Sequence, residues 1–471
     1  MTLARSLLLA LVAWAAGAQA APDPFKSTYQ PAASTPTLIR NATVLDGTGR
    51  RLDGADVLMR DGKISAVGTG LAADGATVVD AQGRWVTPGL IDVHSHLGVY
   101  ASPGVNAHQD GNEATDPVTA GVWAEHGVWP QDPGFYTALA GGVTTLQVLP
   151  GSANLIGGRG VTLRNVAGTT MQEMKFPGAP HGLKMACGEN PKRVYGDKGR
   201  SPSTRMGNVA GYRQAFADAQ DYRGQWEKYE RELAAYEAQQ RDGKGSRKKG
   251  DGDAKKPTPP KRDLRLETLV GAMNGEIQVH IHCYRADEMA VMLDLAKEFG
   301  FKVAAFHHGV EAYKIADRLA QEGVCGALWA DWWGFKMEAY DAIWENIAFV
   351  DAPANGCAIV HSDSAEGIQR LNQEAAKAMS RGQQAGLTIP PERAIRWITS
   401  NAARSLGVAG EVGSLEPGKR ADVVIWNRDP FSVYALAERV YVDGAVRYDR
   451  AAPPAQSESD FLLGQPAGGA L

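Results

Sequence analysis

Between residues 88 and 400 the sequence alternates short β-rich runs with helical stretches, the pattern of a parallel sheet covered by helices. Eight runs read as strands: 90–96, 143–149, 161–166, 182–188, 277–282, 302–308, 324–330 and 357–363. Eight is the number that closes an α/β barrel of the (β/α)8, or TIM, type. Helical patterns follow the fifth and sixth runs, at 287–299 and 310–322. The span exceeds the roughly 250 residues usual for such a barrel. An insertion at about 200–262 accounts for the excess. Residues 209–241 are charged, amphipathic and helix-rich, and 242–260 hold Gly, Lys, Asp and Pro with almost no apolar side chain. The second piece is expected to be a disordered loop.

The flanks have another texture. Residues 37–87 are short strand patterns punctuated by the hairpin dipeptides Asp46-Gly47 and Asp61-Gly62. Similar patterns return within 407–450, at 421–426 and 440–446. Neither flank is long enough to be stable alone. The two are therefore expected to pair, building one small β-sandwich domain from both ends of the chain.

The first twenty residues stand apart. Arg5 precedes an apolar run over 6–17, and Ala18-Gln19-Ala20 is a small-x-small cleavage site. This reads as a secretory signal peptide, too short to cross a bilayer. No later run of eighteen apolar residues occurs, so no membrane span is expected after its removal. An exported, periplasmic protein is the expectation. The formal charge of −4 offers no basic surface for nucleic acid. Cys187, Cys283, Cys325 and Cys357 lie in or beside apolar strand-like runs without zinc-finger spacing. They read as buried free thiols, with one bridge left open.

The chemistry gathers at strand ends. In Asp92-Val93-His94-Ser95-His96, alternate residues share a face, so His94 and His96 project together where the first strand ends. Catalytic groups of this barrel lie at the carboxyl ends of strands, and paired imidazoles grip divalent metals. Three more strands end in His280-Ile281-His282, His307-His308 and His361-Ser362-Asp363. Seven of the ten histidines thus fall at four strand ends, a gathering not expected of scattered core histidines.

On these residues the chain resembles the amidohydrolase superfamily of metal-dependent hydrolases, and more narrowly its imidazolonepropionase-like branch. The resemblance is carried by Thr87-Pro88-Gly89-Leu90-Ile91-Asp92-Val93-His94-Ser95-His96, Gly141-Gly142-Val143-Thr144-Thr145, His361-Ser362-Asp363 and the tail from Gly413 to Val424. It implies a barrel joined to a β-sandwich made from both termini. It also implies His94, His96, His282 and His308 as metal ligands. Asp363 is then both ligand and catalytic proton shuttle. His280 lies deeper and is read as structural. His307 has the opposite parity to His308 and is read as packing, and His361 as support for Asp363.

A bridging ligand is left open between Glu189 and Lys184, the latter carboxylated as in relatives with two metals. A bare ammonium within an apolar strand would be costly to bury. If neither serves, the site holds one ion. Zn2+ suits the N and O donors, as one or two ions. Tyr284 and Arg285 are read as substrate-binding residues of the fifth loop, Arg285 as a bidentate carboxylate clamp. Asp331-Trp332-Trp333 is a candidate pocket wall.

The function so implied is hydrolysis of C–N bonds in a small-molecule substrate: small amides, cyclic amides or dipeptides. The alternatives are a deaminase of the same superfamily and a non-catalytic, metal-containing binding protein on the same fold.

Overall fold

The computed structural model describes residues 23–102, 104–242 and 255–452. The expected signal peptide, and most of the loop expected at 242–260, lie outside the described residues.

The N-terminal strands are β1 (Thr37–Leu45), β2 (Arg51–Arg60), β3 (Lys63–Gly68), β4 (Thr77–Asp80) and β5 (Trp85–Pro88). The barrel strands are β6 (Leu90–Ser95), β7 (Val143–Val148), β8 (Ile156–Arg164), β9 (Gly182–Ala186), β10 (Gln278–Cys283), β11 (Val303–His308), β12 (Cys325–Leu328) and β13 (Ala358–Val360). Three strands return at the far end: β14 (Val423–Trp426), β15 (Ala437–Val442) and β16 (Ala445–Asp449).

Strands from both ends of the chain share one eight-stranded sheet, in the order β16-β15-β14-β5-β1-β2-β3 with β4 also on β1. The join is β5 against β14, antiparallel, with Thr87 opposite Val424. The sheet buries its own core, including Ile39, Val57, Ile64, Val86, Val423 and Tyr441. At the β2–β3 turn Asp61 and Gly62 both have positive φ, as an Asp-Gly hairpin turn requires.

The eight barrel strands run in the order β13 back to β6, and β13 meets β6 where the Asp363 N–H donates to the His94 carbonyl at 3.0 Å. Seven strands are parallel. The expected all-parallel order fails at the third, because β8 is antiparallel to both β7 and β9. The cause is chain length: a parallel crossover needs a dozen or more residues, and the link from Val148 to Ile156 is shorter.

The insertion contains one long helix, Arg205–Asp242, packed on the helix Leu264–Met273. Its first half buries Tyr212, Phe216 and Ala219, with Phe216 stacked 4.5 Å from Phe301. No described helix is long and apolar enough to cross a membrane.

The cysteine expectation is corrected. Cys187 bonds Cys283, and Cys325 bonds Cys357, with Cα separations of 5.2 and 4.6 Å. The parallel registers β9–β10 and β12–β13 place each pair side by side. Distance along the chain carries no trace of that neighbourhood.

Candidate metal centre at the barrel mouth

β6 delivers His94 and His96. Each is oriented through Nδ1: that of His94 lies 2.9 Å from His307 Nδ1, and that of His96 lies 2.8 Å from the Leu149 carbonyl. Both Nε2 atoms then face Asp363 Oδ1, at 3.4 and 3.1 Å. Fixing one ring nitrogen with a hydrogen bond leaves the other to serve as ligand. Below them Asp92 accepts the His94 and Ser362 backbone N–H groups and the Ser362 hydroxyl, tying β6 to the chain after β13. Burial pushes its carboxyl up to about 7 despite these bonds.

β11 and the end of β13 break the strand rule. His308 and Asp363 have φ of +69° and +53°, left-handed backbone that turns each residue out of the pleat. His308 therefore enters the site although His307 already points inward, with its Nδ1 3.9 Å from Asp363 Oδ2. His307 is not the packing residue expected from parity. It links His94 to His280 Nδ1 at 2.9 Å, and Gln147 lies 3.4 Å from His280 Nε2. The resulting line Gln147–His280–His307–His94 supports the cluster from inside the barrel. Gln147 went unnoticed in the sequence, although a buried amide on an apolar strand is a signal of this kind.

Three imidazoles of the cluster have ring nitrogens left over. Both ring nitrogens of His282, both of His361, and Nδ1 of His308 are buried without a hydrogen bond. Each such orphan costs about 1–3 kcal/mol unless something binds it. The His282 ring lies 4.5 Å from that of His308, which lies 4.7 Å from His94 and 4.9 Å from His361. Ligand atoms of His94, His308 and His361 lie within 4.8 Å of one another, as do those of His94, His96 and Asp363. Burial holds His94, His282 and His308 well below the usual imidazole range, and His361 down to about 3. These rings are neutral at pH 7, with lone pairs available. Burial would raise Asp363, but the hydrogen bond with His96 and the positive charge of Lys184 hold it below its ordinary value. Neutral imidazoles around one carboxylate, with nitrogens left over, suit a divalent cation.

The two candidate bridging residues fare differently. Lys184 is fully buried, its Nζ 3.3 Å from His94 Nε2 and 3.0 Å from the Pro150 carbonyl, and burial lowers it to about 8. Glu189 begins the helix Glu189–Gly196 and sits 3.8 Å from the Lys336 ammonium, outside both ligand clusters.

Tyr284 is buried against the site, its ring 4.8 Å from His282 and 5.7 Å from His308. Arg285 is not drawn in. It forks onto Asp287 at the start of the next helix, two bonds of 2.9 Å. Asp331 pairs with Lys377 at 2.7 Å, whereas Trp333 packs against a small buried cluster that includes Tyr284 and Trp329. Away from the mouth, Asp23, Glu125 and His181 form another acidic group. The Lys175 ammonium sits 2.6 Å from both of its carboxylates.

Residues 348–451 match the amidohydrolase family. The amidohydrolase tasK of Hapsidospora irregularis is 30% identical over 481 residues, covering 92% of this chain and 46% of its own length. A dihydroorotase from Halalkalibacterium halodurans is 34% identical over 114 residues, 24% of this chain and 21% of its own. The chain thus spans less than half the length of these two relatives. The crystal structure of an amidohydrolase from Thermotoga maritima MSB8 superposes with a TM-score of 0.74 at 35% identity, covering 88% of this chain and 100% of that one.

Proposed function

The chain belongs to the amidohydrolase family, and from that premise we propose that it is an exported, metal-dependent hydrolase of C–N bonds in small amides, cyclic amides or dipeptides. The observation that carries this is the meeting of His94, His96 and Asp363 with buried imidazoles that have no other partner. His94, His96, His282, His308 and Asp363 would hold the ion, with His361 as a further donor beside them. Zn2+ suits this set, as one ion or two.

When bound, such an ion supplies Lewis-acid charge that acidifies water and polarises a carbonyl. The chain does the rest. Asp363, ionised at neutral pH, takes a proton from water on its carboxylate oxygen and returns it to the departing nitrogen. Water oxygen bonds the acyl carbon, the C–N bond breaks, and an acid and an amine leave. His307 and the Leu149 carbonyl fix His94 and His96, so the donors need not reorganise. With two ions, a carboxylated Lys184 would be the bridging ligand, and carboxylation would remove a buried ammonium set against an imidazole. Export and the narrower imidazolonepropionase-like kinship rest on sequence alone.

Metal analysis combined with a screen of amides, dipeptides and ureides tests the proposal. One or two equivalents of metal and turnover of at least one substrate are expected. Bound metal with no turnover would favour the binding-protein alternative, and ammonia released from an amidine would favour deamination.

A further inference from the structure

The loop after β12 brings a cation to the mouth. Lys336 Nζ donates to Asn190 Oδ1 at 2.8 Å and lies 3.8 Å from Glu189 Oε1, beyond hydrogen-bond reach. It also lies 4.9 Å over the Tyr284 ring, which itself lies against His282 and His308. The ammonium is thus one aromatic ring away from the histidine cluster. A lysine has three donors, and Asn190 uses one.

This is not a loose surface lysine, since its side chain is only 16% exposed. Two residues on, Glu338 accepts the Glu189 N–H at 3.0 Å and pairs with Arg205. Arg205 also holds Glu288 at 3.0 Å, and Glu288 accepts the Gly188 N–H at 3.0 Å. The loop is pinned to the chain that follows β9. A second donor stands nearby: Trp329, 4.2 Å from His308, buries an indole N–H with no partner. Trp332 and Phe335, on the same loop, are 44% and 67% exposed. A cation, a spare N–H and bare aromatic surface together match an apolar organic anion.

We propose that Lys336 anchors a carboxylate close to the scissile C–N bond, so that the substrates are acylated amino acids or dipeptides with a large apolar side chain. This rests on the hydrolase reading above and narrows it. It also gives Lys336 the role that the sequence pattern had suggested for Arg285.

Calorimetric titration of the metal-loaded protein with 3-phenylpropanoate and the uncharged 3-phenylpropan-1-ol, which has no C–N bond, tests the anchor without turnover. The carboxylate is expected to bind about tenfold more tightly than the alcohol. Lys336→Met should erase that preference, and Lys336→Arg should keep most of it. Equal affinity for the two probes, no binding of either, or an undiminished preference in Lys336→Met would overturn the assignment. A preference that depends on Lys336 in a protein that hydrolyses no amide would remove the hydrolase reading and leave the anchor standing.

Discussion

The barrel has a buried polar cluster at each end, and the two are built on opposite principles. At the seam with the terminal sheet, Arg164 forks onto Asp422 with two bonds of 2.6 Å and reaches Thr145 at 2.9 Å. Asp443 takes Arg164, Arg420 and the Tyr29 hydroxyl. Each carboxylate there faces a cation, and of Arg164 only Nε lacks a partner. At the mouth, His282, His308 and His361 have ring nitrogens with none. Burying polar groups is tolerated in both places for different reasons. The seam's carboxylates are matched by cations from within the chain, whereas the mouth keeps ring nitrogens that no described group engages. Buried charge alone does not mark a functional site; what sets the mouth apart is the gathering of several partnerless ring nitrogens in one place.

The sharpest test is at Asp363. Asp363→Asn keeps the shape and removes the base, so kcat should fall by about 10²–10⁴-fold while the unfolding midpoint of the metal-free protein barely moves. Unchanged turnover would put the proton transfer elsewhere. Arg164→Met should do the reverse. It strands the buried Asp422 carboxylate, whose cation it is, at a cost of about 3–5 kcal/mol in denaturant unfolding, with kcat per folded molecule preserved. A large loss of kcat in that variant would mean that seam and mouth are coupled.

Chelation comes next in size. Removing an ion that was present at about a hundred times its Kd should lower stability by about 2.7 kcal/mol. The same stability with and without chelator would mean that the mouth is as self-sufficient as the seam. The smallest effect is in acid. Burial would raise Asp443, but Arg164, Tyr29 and Arg420 hold it below 3.8. Its contribution is therefore present above the ordinary carboxylate value and is lost as pH falls through the depressed one. Acid titration of unfolding should show this loss in the native protein and less of it in Asp443→Asn, and identical profiles would remove Asp443 from the seam's balance.

Much of the site was readable because strand alternation is a local property. His94 and His96 share a face whatever the rest of the chain does, and the same holds for His280 and His282. The rule failed where the backbone left the pleat: positive φ at His308 and Asp363 let His307 and His308 both enter, which parity forbids. The direction of β8 was missed because a hydrophobic run reads the same either way; only the short link before it carried the signal. The disulfides were missed because they join residues matched by register between neighbouring strands. Arg285 was read as a carboxylate clamp from its place after His282, yet an acid two residues later engages it at the start of the helix.

The amino-acid sequence by itself determined the composite architecture, the strand ends that carry histidine, and the family to which these belong. Periodicity and motif spacing act over a few residues and survive any global arrangement. Tertiary structure alone decided which imidazoles remain without partners, that Lys184 rather than Glu189 sits against them, and that Lys336 reaches the mouth. Those facts depend on distances between segments far apart in the chain, set by how the barrel closes.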